Sequence, residues 1–191
     1  MGARLMAIVI EGQRKRVYLS PTAEMEEIAH SAQPLDAPEM ELPKRALGFR
    51  VQEYGMTRWC DLFTARQLVA LTTFSDLVGE AHDRVKSDAL TADLADDGRS
   101  LDAGGTGAGA YADAIATFLA CSVDKTAEYG CTIVPWYAKE DRPKGLFARQ
   151  AIPMVWDYAE DNPLGAIGGA FEPKSRSWGR ITPARGAWVQ L

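Results

Sequence analysis

Thr64 followed three residues later by Gln67 is the reciprocal cap of a helix start, in which the hydroxyl takes an orphan backbone N–H and the amide reaches back to the cap. Beyond it, Leu68, Leu71, Ser75, Val78, Ala81 and Val85 recur at three- and four-residue steps, with Arg66, Asp76, Glu80, Asp83 and Arg84 on other faces. The spacing predicts a long helix from Ala65 with one buried stripe. Residues 91–109 are rich in Asp and Gly and predict a mobile loop whose acids, Asp96 and Asp97 among them, are solvated. A second amphipathic helix is predicted next, with Tyr111, Ala114, Ile115, Phe118, Leu119 and Ser122 on its stripe and Gly130 ending it in the left-handed conformation. Two antiparallel helices joined by that loop would form the core.

The flanking segments complete an α+β, mainly α-helical expectation. Leu5–Ile10 and Val17–Leu19 are apolar runs around the polar turn Gly12–Arg16, the pattern of an N-terminal β-hairpin. Ser20 and Pro21 open a short helix with Glu24, Glu26 and Glu27 near its positive end. Pro34, Pro38 and Pro43 make residues 33–43 an extended connector. Thr132–Val134 suggests a strand, Pro135–Gly145 a turn, and Phe147–Glu160 a third helix kinked at Pro153, because the residue before a proline avoids the helical region. Residues 1–163 are expected to be one domain, and residues 164–191, rich in Gly and Pro without periodicity, a poorly ordered tail.

Composition narrows the function classes. With 191 residues and 47% hydrophobic content the chain can bury one sizeable core, and no apolar run approaches the roughly 20 residues a membrane span needs. Cys60, Cys121 and Cys131 are odd in number and widely spaced, which argues against a disulfide framework and for a reducing, cytoplasmic setting. His30 and His82 have no partner at metal-ligand spacing, so both read as surface residues and no metal is expected. The net charge of -5 disfavours a dedicated nucleic-acid binder, yet the tail gathers Lys174, Arg176, Arg180 and Arg185 without an acid.

Two motif fragments fail on context. Gly105-Thr106-Gly107-Ala108-Gly109-Ala110 has the spacing of a dinucleotide loop, with Asp124 where a ribose-binding acid would sit, but no buried strand precedes it. Asp161-Asn162-Pro163-Leu164 has one proline and no aromatic ring where an amino-methyltransferase clamp needs both, so it reads as a helix terminator. One cluster does suggest a binding surface: Arg50, Tyr54, Arg58, Trp59 and Arg66, because guanidinium groups meet phosphates and aromatic rings stack on bases. The competing reading packs these aromatics under the capped helix and pairs the arginines with Glu53 and Asp61.

Three blocks, LGFRVQEYGMTRWCDLFTARQLVALTTFSDLV, GGTGAGAYADAIATFLACSVDK and FARQAIPMVWDYAEDNP, together with the start GARLMAIVIEGQRKRVYLSPT, resemble consecutive parts of the adenine-specific DNA methylases that contain a zinc ribbon and begin with a domain of unknown function. The resemblance covers roughly residues 1–163. It implies an enzyme that moves a methyl group from S-adenosylmethionine to an adenine amino group in DNA. The family's D-P-F-x-G-x-G type cofactor loop lies before the matched region and its D-P-P-Y type catalytic motif after it; neither occurs here, nor do the zinc-ribbon cysteines. No catalytic, cofactor-binding or metal-binding residue is therefore carried over. The resemblance implies a non-catalytic central segment, from a truncated or fragmentary gene product, with DNA and the remainder of the methyltransferase as its partners. The alternative is a standalone protein-interaction module that does not touch nucleic acid.

Overall fold

The computed structural model describes residues 4–13, 15–146, 151–165 and 171. Its elements are β1 (Ile8–Glu11), β2 (Arg16–Leu19), α1 (Ala23–His30), α2 (Ala65–Thr91), α3 (Ala108–Tyr129), β3 (Trp136–Tyr137) and β4 (Arg142–Pro143), with 3-10 turns at Val51–Tyr54 and Trp59–Leu62. The fold is α+β with helices dominating, as the sequence pattern predicts. Contacts divide the chain into two compact units. One comprises Met1–Ala70 with Gly130–Glu160, the other Leu71–Tyr129 with Asp161–Leu191.

The first unit holds the chain's main apolar core. Leu42, Val51, Leu62, Cys131, Ile133, Val134, Leu146 and Ile152 are buried together, with Phe49, Trp59, Phe63 and Val155 packed against them. This differs from the expectation that the two long helices form the core. Short turns and bridges supply these residues instead. Thr132 donates both its N–H and its hydroxyl to Leu62 O, and Ala159 N–H donates to Val134 O at 2.7 Å. Ile133 and Val134 are apolar because they fill this core, and Thr132–Val134 is no strand; pairing begins with the Pro135–Tyr158 bridge and continues at Trp136, opposite Pro143. No disulfide is formed by Cys60, Cys121 or Cys131.

The expected kinked helix over Phe147–Glu160 is corrected by its described part. Residues 151–160 form no helix. Ile152 instead joins Phe49 in a parallel bridge, its N–H donating to Gly48 O and its carbonyl accepting from Arg50 N–H. Pro153 explains the outcome, since it bars the preceding residue from helical geometry and supplies no N–H of its own. Residues 147–150 lie outside the described residues, as does the predicted tail except Leu164, Gly165 and Phe171.

At the N-terminal end β1 and β2 pair antiparallel, Ile8 opposite Leu19 and Glu11 opposite Arg16, and Gly12 N–H closes the turn on Lys15 O. Helix α1 starts two residues later than Ser20 and Pro21 suggest, because Thr22 is the residue whose hydroxyl accepts Met25 N–H. None of these three elements contains a buried residue.

In α2 the capping box forms as the sequence predicts: Gln67 N–H donates to Thr64 Oγ1, and Thr64 N–H donates to Gln67 Oε1 at 2.8 Å. Of the predicted stripe only Leu68 is buried; Leu71, Val78, Ala81 and Val85 are half-buried and Ser75 is exposed. In α3 the buried positions are small or polar, Ala108, Ala110, Ala112, Ser122, Thr126 and Glu128, while Phe118 is exposed. The buried hydroxyls are satisfied within the helix, Ser122 donating to Phe118 O and Thr126 to Ser122 O. Gly130 follows the last helical residue, but the glycines with positive φ are Gly48, Gly55, Gly98 and Gly104. The left-handed stop predicted at Gly130 is therefore not used; Asp93, at φ 62°, follows α2 in that conformation instead.

Candidate nucleic-acid interface

All five residues of the predicted cluster lie in the first unit. Arg50 precedes the turn Val51–Tyr54, which ends at Gly55 with φ 89°, a left-handed angle that glycine takes without strain. Backbone hydrogen bonding to Ile152 fixes Arg50, and its side chain is exposed with no ion pair among the described residues. Tyr54, at the end of the same turn, meets Trp156 edge to face, centroids 5.3 Å apart and planes at 82°. Trp156 is 67% exposed, an unusual position for so large an apolar ring.

Arg58 and Trp59 open the second turn. The connector runs beside them: Trp59 N–H donates to Met40 O, Cys60 N–H to Pro38 O and Leu42 N–H to Thr57 O. Asp61 folds back over this turn, accepting the N–H groups of Thr57 and Arg58 on Oδ2 and the Arg58 guanidinium on Oδ1 at 3.2 Å. Burial alone would raise the Asp61 pKa, but the backbone N–H groups of Arg58 and Thr57, then the guanidinium, outweigh it and hold the carboxyl below its usual range. The same hydrogen bond to Asp61 raises the Arg58 pKa. Glu39 adds a second carboxylate 3.7 Å from Arg58. Trp59 is half-buried against the core.

Arg66, in the first turn of α2, is held bidentately by Glu160 through Nε at 3.0 Å and Nη2 at 2.7 Å. Tyr158, in an antiparallel bridge with Pro135, lies near this pair, and burial raises its phenol pKa. Two of the three arginines are thus occupied by carboxylates, one of them the Asp61 expected from sequence and the other Glu160, 94 positions away. Arg50 is the arginine of this cluster with no carboxylate partner among the described residues, and Trp156 is the aromatic residue that sequence reasoning missed. Its only signal was position within an apolar run taken for a helix.

In the glycine-rich loop before α3 the acids Asp96 and Asp97 are exposed, as expected, and also accept backbone hydrogen bonds. Asp96 Oδ1 accepts the N–H groups of Gly98 and Gly109, while Lys86 pairs with Oδ2 at 3.1 Å. Asp97 accepts from Arg99 and Thr106. Lys86 is the first cause of a lowered Asp96 pKa, and the Thr106 N–H of a lowered Asp97 pKa. Backbone donors that a phosphate would need at this helix start therefore already serve the protein's own carboxylates, Thr106 N–H and Gly109 N–H above all. Gly105 and Gly107 are required by close approach: a Cβ would lie 2.1 Å from Arg99 O at the first and 2.6 Å from Asp97 N at the second.

Asp161-Asn162-Pro163-Leu164 ends no helix. Asn162 Oδ1 accepts Leu164 N–H and Asn162 O accepts Gly165 N–H, an Asx-type turn with Leu164 exposed. Among the described residues there is no group of three metal-ligating side chains, and no helix long and apolar enough to cross a membrane. His30 is exposed, as expected, but His82 is half-buried between two carboxylates.

No family model, curated protein or solved structure matches this chain. The functional reading therefore rests on the geometry above and on the residues of the sequence blocks.

Proposed function

We propose that this chain is a non-catalytic scaffold that works by packing against other protein, and that the protein it braces is the catalytic part of an adenine-specific, S-adenosylmethionine-dependent DNA methyltransferase. One observation carries the scaffold reading. β1, β2 and α1 bury none of their residues, and Val9, Ile10, Val17, Tyr18, Leu19, Met25 and Ile28 stand exposed along them. A two-stranded hairpin is marginal by itself, and exposed apolar side chains on it offer surface to a partner; Tyr18 also meets Trp136 edge to face. The identity of the partner rests on the three sequence blocks alone. A cytoplasmic setting goes with this reading, since cysteines without disulfides suit a reducing compartment.

The test adds the chain in trans to the catalytic part of such a methyltransferase from which the corresponding region has been removed. A stable complex with restored methyl transfer to DNA is the expected result, with no transfer by the chain alone. Absence of a complex removes the bracing role, and turnover by the chain alone removes its non-catalytic character.

A second reading, direct positioning of DNA, is favoured by the exposed Arg50, which has no ion pair among the described residues, beside the Tyr54–Trp156 pair. A salt-dependent DNA titration separates the two, because phosphate contacts weaken steeply as salt rises and a purely protein-binding surface shows no DNA affinity even at low salt.

A further inference from the structure

We infer that His82 is a proton-controlled clasp within the second unit: the imidazolium ties α2 to α3 and to the loop between them, and the neutral ring must release one of its two acceptors. The geometry carries this. His82 Nδ1 lies 3.0 Å from Asp83 Oδ1, and Nε2 lies 3.0 Å from Asp113 Oδ1. Both partners are carboxylates, which only accept when ionised, whereas a neutral imidazole has one N–H and one lone pair. In either neutral tautomer one contact sets a lone pair against a carboxylate oxygen. Only the doubly protonated ring satisfies both.

The connection extends beyond the ring. Asp113, on α3, uses its other oxygen to accept the backbone N–H of Leu101 at 2.9 Å, so a continuous chain of hydrogen bonds runs from α2 through α3 to the loop. The charged groups around the clasp are Asp83 and Lys86 on α2, Asp113 on α3, and Asp96 of the loop, which pairs with Lys86. Their balance favours the charged ring: the hydrogen bond to Asp83 is the largest influence raising the His82 pKa, burial opposes it, and Asp113 raises it further. The Leu101 N–H is the first cause, and His82 a further one, holding the Asp113 carboxyl below its usual range.

The direction of the linkage follows. A folded pKa above the ordinary histidine value of about 6.5 means that the clasp is fully stabilising below that value and is lost as pH rises through the raised folded pKa. This holds whichever partner the N-terminal surface takes.

Amide-exchange protection of Leu101 in the full chain, followed by NMR from about pH 6 to about pH 8, tests it. Protection corrected for intrinsic exchange is expected to fall severalfold across that range as the ring loses its proton. His82→Gln is expected to abolish the dependence, and Asp113→Asn to lower the midpoint at which the His82 ring titrates. Constant protection in the parent chain, an unchanged dependence in His82→Gln, or an unmoved midpoint in Asp113→Asn would each overturn the inference.

Discussion

Arg66 and Glu160, 94 positions apart, meet through two parallel hydrogen bonds of 3.0 and 2.7 Å, and so fasten the first turn of α2 to the extended segment that follows Pro153. Bidentate pairs of this kind are the stronger class of ion pair, although partial exposure lets solvent screen them. Glu160→Gln is expected to cost about 1 kcal/mol of stability, read from urea unfolding, and to leave any DNA affinity unchanged. Loss of DNA binding at undiminished stability in Arg66→Ala would instead make this arginine a phosphate contact.

Arg50 stands on the other side of that contrast. Its exposed guanidinium has no ion pair among the described residues, so Arg50→Ala should alter stability by less than about 0.5 kcal/mol. If DNA binds here, the same substitution lowers affinity and reduces the slope of log affinity against log salt by about one. An unchanged slope would exclude Arg50 from a DNA contact.

The core assignment predicts an asymmetry between two leucines of similar chemistry. Leu62 is wholly buried in the first unit, whereas Leu71, on the helix stripe, is only half-buried. Leu62→Ala should cost about 2–5 kcal/mol and Leu71→Ala distinctly less, measured by thermal or urea unfolding. Equal costs would place as much of the cohesion in the helical stripe as in the cluster of turns.

The glycine-rich loop should be sensitive to both volume and acid. Gly107→Ala drives a methyl group to within 2.6 Å of Asp97 N and is expected to cost at least about 2 kcal/mol. Asp96, Asp97 and Asp113 have folded pKa values below those of the free side chain, so their contribution is present above about pH 4 and is lost as pH falls through the lowered folded values. Circular dichroism during acid titration of the parent chain, against Asp97→Ala, checks this. An acid transition of the same midpoint and depth in the variant would contradict it.

What the sequence made legible was local. The Thr64–Gln67 cap, the two long helices and the N-terminal hairpin are set by near-neighbour chemistry, and each is found as the pattern predicts. Long-range pairing decided the rest. The break at Ile152 was readable from Pro153, but its bridge to Phe49, a partner no local pattern announces, was not. The loop acids are exposed, as Asp beside Gly predicts, but the backbone N–H groups they accept come from residues up to 13 positions away, as for Asp96 and Gly109. The candidate site divided in the same manner. Asp61 as the partner of Arg58 was readable at three residues' distance, whereas Glu160 for Arg66 and Trp156 for Tyr54 required the folded chain.

Amide exchange across β1, β2 and α1, with and without the catalytic part of an adenine-specific DNA methyltransferase, probes the proposed scaffold role most directly. The scaffold reading expects these amides to exchange readily in the isolated chain and to gain protection when the partner is added, with Ile10, Val17 and Leu19 among the residues most affected. Unchanged exchange throughout the three elements, at partner concentrations that saturate any complex formed elsewhere on the chain, would contradict it.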